Sequence, residues 1–432
     1  MGGEPPGADV VSAPAQGWFR PVPAYRLASF RVLLALSTLC FHLPTVEYRA
    51  AGYLAASFHE PVLGWLPVLP AGTGRELIVL MHVAAWALLV GVWPRTAAAF
   101  LAGASAWILL LDDLHYSHHY HFHVLLLALL ACARDGLSLP QLLREDDGRR
   151  RCPAWSENLL RWQVAIVFLF TAIDKVFSPM WGLAGAELAM LRVKFHDLPL
   201  GWTRPLTTAV LRTAPGLVSA ATIAVEALIA VGFVVPALAG AAAVLMVGFA
   251  LALELVVEQG YFAWDLLIAT VLVLPGDRAW AVVDRADCAR CAVRRRLLAG
   301  LDWLRRLRWQ PGACGHGAEG EEPIRAGARA LRIVGPDGRS RGGFDALRLL
   351  SVLLPAPLLA GLTLIRALDV RLLGLVQGPD VALLGALALV ALWLPGVAPL
   401  VGRLPFARLA GGSGGAGGGD AAGARGDGDR GG

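Results

Sequence analysis

Residues 159–181 read LLRWQVAIVFLFTAIDKVFSPMW. As a helix, the run from Leu159 to Ser178 is long enough to cross the roughly 30 Å hydrocarbon core of a bilayer. It carries Lys175 near its end, in a chain whose 38 basic residues include only two lysines, Lys175 and Lys194. A replaceable positive charge would have been met here by arginine. Lysine is the cation that can lose its proton when desolvated, whereas arginine effectively cannot. The plain alternative is a lysine that snorkels its ammonium to the membrane interface and does nothing else. An ionisable group at membrane depth is nevertheless a functional candidate. Asp174 is adjacent in sequence but about 100° round the helix, so the two do not pair automatically.

The rest of the chain has the same character. Of 432 residues, 56% are hydrophobic and 16% charged, the balance of a polytopic membrane protein rather than a soluble globular one. The net charge of +5 does not point to nucleic acid, because the arginines cluster between apolar segments. Apolar segments lie at 26–44, 74–93, 96–114, 119–134, 159–178, 216–236, 238–256 and 261–276, which predicts about eight spans. Arginines such as Arg20, Arg95, Arg144 and Arg149–Arg151, and the Arg-dense stretch after 276, favour a cytosolic N-terminus by the positive-inside rule. The arginines and lysine of the 179–215 loop weigh against it. No removable signal peptide is expected, since the Gly/Pro/Ala-rich start has no basic region or cleavage site.

The segmentation predicts a flexible N-terminus over 1–19, a transmembrane domain over 20–276, a C-terminal region over 277–410 and a disordered Gly-rich tail over 411–432. Within the C-terminal region, 349–365 and 380–401 turn apolar again. Either could span the membrane or lie on it, and Pro355 and Pro357 argue against a simple span in the first. Cys40, Cys132, Cys152 and Cys314 fit no disulfide framework.

Three further features could carry chemistry. LDDLHYSHHYHFH, residues 111–123, holds five of the ten histidines. His115, His119 and His123 repeat at a spacing of four and would share a helix face, while His118 joins His115 and His119 in an HxxHH pattern. A di-iron site fails on ligand count, because the other histidines are scattered singly. A zinc or copper site from the spaced pairs, or interfacial histidines wetted by the outer surface, remain the alternatives. VVDRADCARC, residues 282–291, is a β-prone run leading into Cys288-x-x-Cys291 and then a helical stretch. A helix N-terminus there would stabilise a thiolate on the first cysteine, which favours a redox dithiol over half of a zinc site. Glu226 and Glu254 sit within apolar runs and are costly in lipid unless they face the bundle interior or a partner.

The series HHYHFHVLLLALL, DGLSLPQLL and CPAWSENLLRWQVAIVFLFTAIDKVFSPMWG resembles, in order, the membrane core of vitamin K-dependent gamma-carboxylase and the related bacterial HTTM domain, over about 20–275. That resemblance implies that Lys175 is the base acting on a reduced, vitamin K-like quinone. It places the oxyanion-stabilising histidine at His119, with His118 standing where the family carries Asn, and an acidic residue at Glu226. His115 and Trp181 join these as pocket candidates, and no metal is implied. The stretches VVDRADCARC, LDWLRRLRWQP and RIVGPDGRSRGGFDALRLLSVLLP resemble a second family, the DCC thiol-disulfide oxidoreductases, implying a dithiol at Cys288 and Cys291.

The expected fold is therefore an all-α polytopic membrane bundle of about eight transmembrane helices followed by a small α/β, thioredoxin-like domain. The expected function is an integral membrane, redox-linked enzyme with its N-terminus and DCC domain in the cytoplasm. Its partners would be the lipid membrane and a hydrophobic small molecule or protein substrate, with no nucleic acid. A non-enzymatic scaffold or transport-type protein, or a chain in which the DCC half alone is catalytic, are the alternatives.

Overall fold

A computed structural model of the chain describes residues 17–47, 62–67, 71–111, 118–134, 137–144, 150–178, 181, 205, 209, 213–257, 261–274, 280–284, 289–311 and 331–372. Strand β1 (Pro21–Pro23) leads into α1 (Tyr25–Ser37), which continues as a π-helical turn over Thr38–His42. Then come α2 (Ala71–Val90), α3 (Pro94–Leu110), α4 (His118–Cys132), the short α5 (Leu139–Leu143), β2 (Arg151–Pro153) and α6 (Ala154–Phe177). Helices α7 (Pro215–Val234), α8 (Ala239–Val257) and α9 (Tyr261–Ala269) follow. Each lies on an apolar run of the sequence. Among the described residues, four helical stretches are long and apolar enough to cross a membrane: Tyr25–Glu47, Thr73–Val90, Pro215–Val234 and Pro236–Leu253.

The first of these is the axis of the bundle. Its apolar window is 83% buried, against 22–33% for the other three. A helix that is apolar all round is suited to complete enclosure, and α1 meets α2, α9, α5 and a C-terminal helix. The outer helices instead present apolar side chains outward, such as Val83 and Trp86 on α2 and Phe170 and Val176 on α6, as helices solvated by lipid do.

Arg31 is fully buried in α1 and is used as a helix cap. Its guanidinium donates to the carbonyls of Leu88, Leu89 and Leu137, supplying donors to the carbonyls that the end of α2 leaves unpaired. Gly91 makes room for it. That residue has φ of +86°, and a Cβ there would stand 2.9 Å from Ser138 Cα and 3.1 Å from Arg31 Nη2, so only glycine suits the position. At the same end of the chain's first turn, β1 pairs antiparallel with β2, tying the N-terminal segment to the start of α6.

After the bundle, β3 (Trp280–Asp284), α10 (Ala289–Leu301), β4 (Leu307–Pro311), β5 (Arg332–Val334), β6 (Ser340–Gly342), α11 (Gly343–Leu353) and α12 (Pro355–Leu372) follow. The sheet order is β4-β3-β5-β6. β3 and β4 run parallel, with α10 between them in sequence, and the other pairings are antiparallel. Val282, Leu298, Leu307, Ile333 and Leu353 form its core. The turn into β4 is organised by Asp302, whose carboxylate accepts from the backbone N–H groups of Arg306 and Leu307, both at 2.8 Å. Burial pushes the Asp302 carboxyl up from its ordinary range, while these two donors and Arg305 and Arg306 pull it back.

This region is not separate from the bundle. Trp303, Leu304, Ala356 and Ala360 belong to the same core as α1 and α9, and Arg305 donates to the carbonyls of Leu142 and Arg144 at the end of α5. The apolar stretch 349–365 is broken: Asp345–Leu353 and Pro355–Ile365 meet at 81°. The cause is Pro355, which cannot continue α11 yet suits the first position of α12. The segment 380–401 and the tail 411–432 lie outside the described residues.

Candidate functional site

Lys175 occupies the last turn of α6. Its buried neighbours Val164, Phe168 and Ala172 recur every three or four residues, so Lys175 continues the face that packs on α7. On α7, Ser219, Glu226, Ala230 and Phe233 make the matching stripe. The charged residues of these stripes meet: Lys175 Nζ donates to Glu226 Oε1 at 2.9 Å and to Oε2 at 3.0 Å. The side chains are 15% and 5% exposed.

Trp181 covers the ammonium, which lies 5.0 Å from its ring centroid. Such a contact stabilises a cation over an indole face. The position of Trp181 is itself fixed, since Ser219 Oγ donates to its carbonyl. Asp174 is exposed, as its place on the helix predicts. At the opposite end of the same helix pair, Arg161 Nε donates to the Phe233 carbonyl at 3.1 Å, so α6 and α7 are pinned together at both ends.

A second polar cluster lies between α1, α3, α4 and α9. His123 Nδ1–H donates to Asp265 Oδ2 at 2.8 Å, and both side chains are fully enclosed. Ser37 Oγ donates to the other carboxylate oxygen at 2.9 Å. Thr38 Oγ1 lies 3.1 Å from His123 Nε2. The His42 ring stacks on His123 with centroids 4.5 Å apart and sits tilted against Tyr120 at 4.7 Å, and His42 Nε2 is 2.8 Å from Ser105 Oγ. Ser37 immediately precedes the π-helical turn, and Thr38 and His42 are its ends. Such turns are uncommon and recur at functional sites.

The structure brings Lys175, Glu226 and Trp181 together and places His119 against Phe262 of α9, with ring centroids 4.4 Å apart. His118 begins α4 and Cys291 lies within α10, but their side chains fall outside the described residues, as do His115 and Cys288 altogether. The Glu254 side chain is likewise outside them. Among the described residues no group of three or more His, Cys, Asp or Glu is placed to hold a metal ion. Reading the sequence by local spacing did not find the His42–His123–Asp265 cluster, whose members come from distant helices. The signal available was polar residues isolated within apolar runs: Ser37, Thr38 and His42 in one, Asp265 in YFAWDLLIA.

A family model described as the HTTM domain matches residues 19–278, more than half of the chain. Residues 279–432 lie outside that match. No curated protein and no solved structure matches the chain.

Proposed function

Because the chain belongs to the HTTM-domain family, an integral membrane protein of gamma-carboxylase-like kind, we propose that it is an enzyme using Lys175 as base on a hydrophobic, quinone-class substrate. The observation that carries this reading is the bidentate Lys175–Glu226 pair beneath Trp181. As an ammonium, Lys175 has no lone pair to offer. In this reading one ammonium proton passes to Glu226, leaving a neutral amine beside a carboxylic acid. Lys175 then takes a proton from the substrate, becoming ammonium again, while Glu226 keeps the first proton.

The donor set suits a reduced quinone: an amine to receive a proton and a carboxyl to hold one, with the Trp181 indole over the amine. When bound, a reduced quinone would supply the weakly acidic O–H. His119 is the proposed electrostatic partner. If α4 and α6 cross the membrane in opposite senses, the start of α4 and the end of α6 share one end of the bundle, which supports this assignment. In the same reading the bundle has about eight spans, with the N-terminus and C-terminal region cytosolic. The sheet order β4-β3-β5-β6, with a helix between parallel β3 and β4, supports a thioredoxin-type, DCC-like unit over 277–410 with Cys288 and Cys291 as its dithiol.

One observation favours a second reading. Both charges of the Lys175–Glu226 pair are satisfied by each other, as a bundle-closing ion pair in a non-enzymatic scaffold would require. The test is turnover of a short-chain reduced naphthoquinone by the full chain in nanodiscs. Lys175→Arg keeps the charge but provides no neutral base, so the rate should fall at least about 100-fold with little change in Tm. A rate equal to the native one would remove Lys175 from the chemistry.

A further inference from the structure

Helix α10 has two dissimilar faces. One packs on the sheet, where Leu298 is part of the core and the Arg295 guanidinium lies 5.4 Å from the Trp309 ring centroid. On the other, Val293, Leu297 and Leu301 recur every four residues, span about 80° of the helix and are 44–63% exposed. Arg294 and Arg296 fall on either side of this stripe, the first half-buried and the second exposed. A stripe of this kind leaves apolar area in water. It suits a lipid surface, where the aliphatic side chains enter the acyl boundary and the flanking arginines reach the headgroups.

The position of α10 supplies that surface. Gly300, beside the stripe on the helix, faces the bundle: a Cβ there would stand 3.8 Å from the Leu143 carbonyl oxygen of α5. Arg305, just after α10, donates to carbonyls at the same end of α5. Helix α5 lies where α2 finishes, since Arg31 joins the Leu88 and Leu89 carbonyls to that of Leu137. The lipid-facing helices stop at this level, and α12 enters the bundle from it. After the 81° bend α12 packs along α1, the π-helical turn and α9, with Ala356, Ala360 and Thr363 buried. The side of α10 that turns towards the bundle therefore also turns towards the bilayer boundary around it. Its charge is complementary to an anionic leaflet. Arg20, Arg134, Arg144, Arg150 and Arg151 are exposed at the same end, while Glu157 there is buried against Arg26.

We propose that α10 lies on the bilayer surface and binds anionic lipid headgroups, with Val293, Leu297 and Leu301 in the interfacial layer and Arg294 and Arg296 on the lipid phosphates. The attraction of arginines to an anionic leaflet falls off within a Debye length, so the contact discriminates between lipids and weakens with salt. The sheet unit is then held at two places, by α12 inside the bundle and by α10 on the membrane beside it.

The test is photocrosslinking of the full chain in nanodiscs of mixed phosphatidylcholine and phosphatidylglycerol. The crosslinker is placed by Leu297→p-benzoylphenylalanine, and the α10 peptide is read by mass spectrometry. That peptide should gain the mass of one lipid, with phosphatidylglycerol adducts exceeding that lipid's share of the disc at least about threefold. Arg294→Gln combined with Arg296→Gln should bring the adducts back to the lipid's share. Arg296→Gln alone, at an exposed position, should remove about half of the excess and carries this arm if the double variant does not fold. Val293→p-benzoylphenylalanine replaces the first crosslinker if the Leu297 variant does not fold. A crosslink to another segment of this chain or to a second copy overturns the proposal, because a protein surface then covers the stripe. So does a peptide that gains no lipid, or a set of adducts that follows the bulk lipid composition with both arginines present.

Discussion

Lys175 and Glu226 meet through two hydrogen bonds at the end of one helix, with the lysine side chain 15% exposed and an indole over it. His123 and Asp265 meet on fully enclosed side chains, and each also engages a hydroxyl of α1. Both pairs join helices far apart in sequence, yet they are built for different demands. A pair at the edge can lose a partner to water, lipid headgroup or substrate. A pair in the interior has nothing to replace what is removed, so every donor and acceptor must be met within the protein. The first arrangement is suited to a group that reacts, the second to one that holds a state.

That contrast can be broken most forcefully at Asp265. Asp265→Ala leaves the His123 Nδ1–H and the Ser37 hydroxyl unpaired at 0% exposure, and should destabilise the folded chain by about 3–5 kcal/mol. Thermal unfolding in nanodiscs reads this as a large fall in Tm. A loss below about 1 kcal/mol would mean that the cluster is not a closed network.

At the other pair the same operation should cost less. Lys175→Met strands Glu226, but the site borders its surroundings, so about 1–2 kcal/mol is expected. Adding Glu226→Leu should restore most of that loss, because replacing both partners of an ion pair with apolar groups is often neutral. If the double variant is less stable than the single one, the pair holds the bundle together more than it serves chemistry.

The smallest effect belongs to Asp174, the acid next to Lys175 in sequence. It is exposed, so Asp174→Asn should change stability by no more than about 0.5 kcal/mol. A larger change would show that the carboxylate nearest in sequence, rather than Glu226, answers the lysine.

The helices were legible because apolar runs long enough to cross a bilayer are a strong signal, and Lys175 stood out because the chain avoids lysine. Glu226 was visible as an acid in an apolar run, but its partner was not, since a separation of 51 positions carries no pairing signal. Asp265 was harder still. It is 142 positions from His123, in a segment whose other residues read as ordinary membrane helix, and only the packing of α9 on α4 and α1 joins them. The histidine repeat pointed to His115, His119 and His123 as one face. The structure gives two of them different surroundings: His119 against an aromatic ring and His123 in the polar cluster. Helical spacing assigns a face but not the neighbour that the face meets.

The scarcity of lysine makes the central claim directly measurable. With [15Nζ]lysine the chain should give two side-chain signals, from Lys175 and Lys194, and Lys175→Arg identifies which is which. Adding a short-chain reduced naphthoquinone in nanodiscs should shift the Lys175 signal and leave Lys194 unmoved, with the response lost in Glu226→Gln. A Lys175 signal that stays in place at saturating quinone would contradict the claim that this lysine faces the substrate.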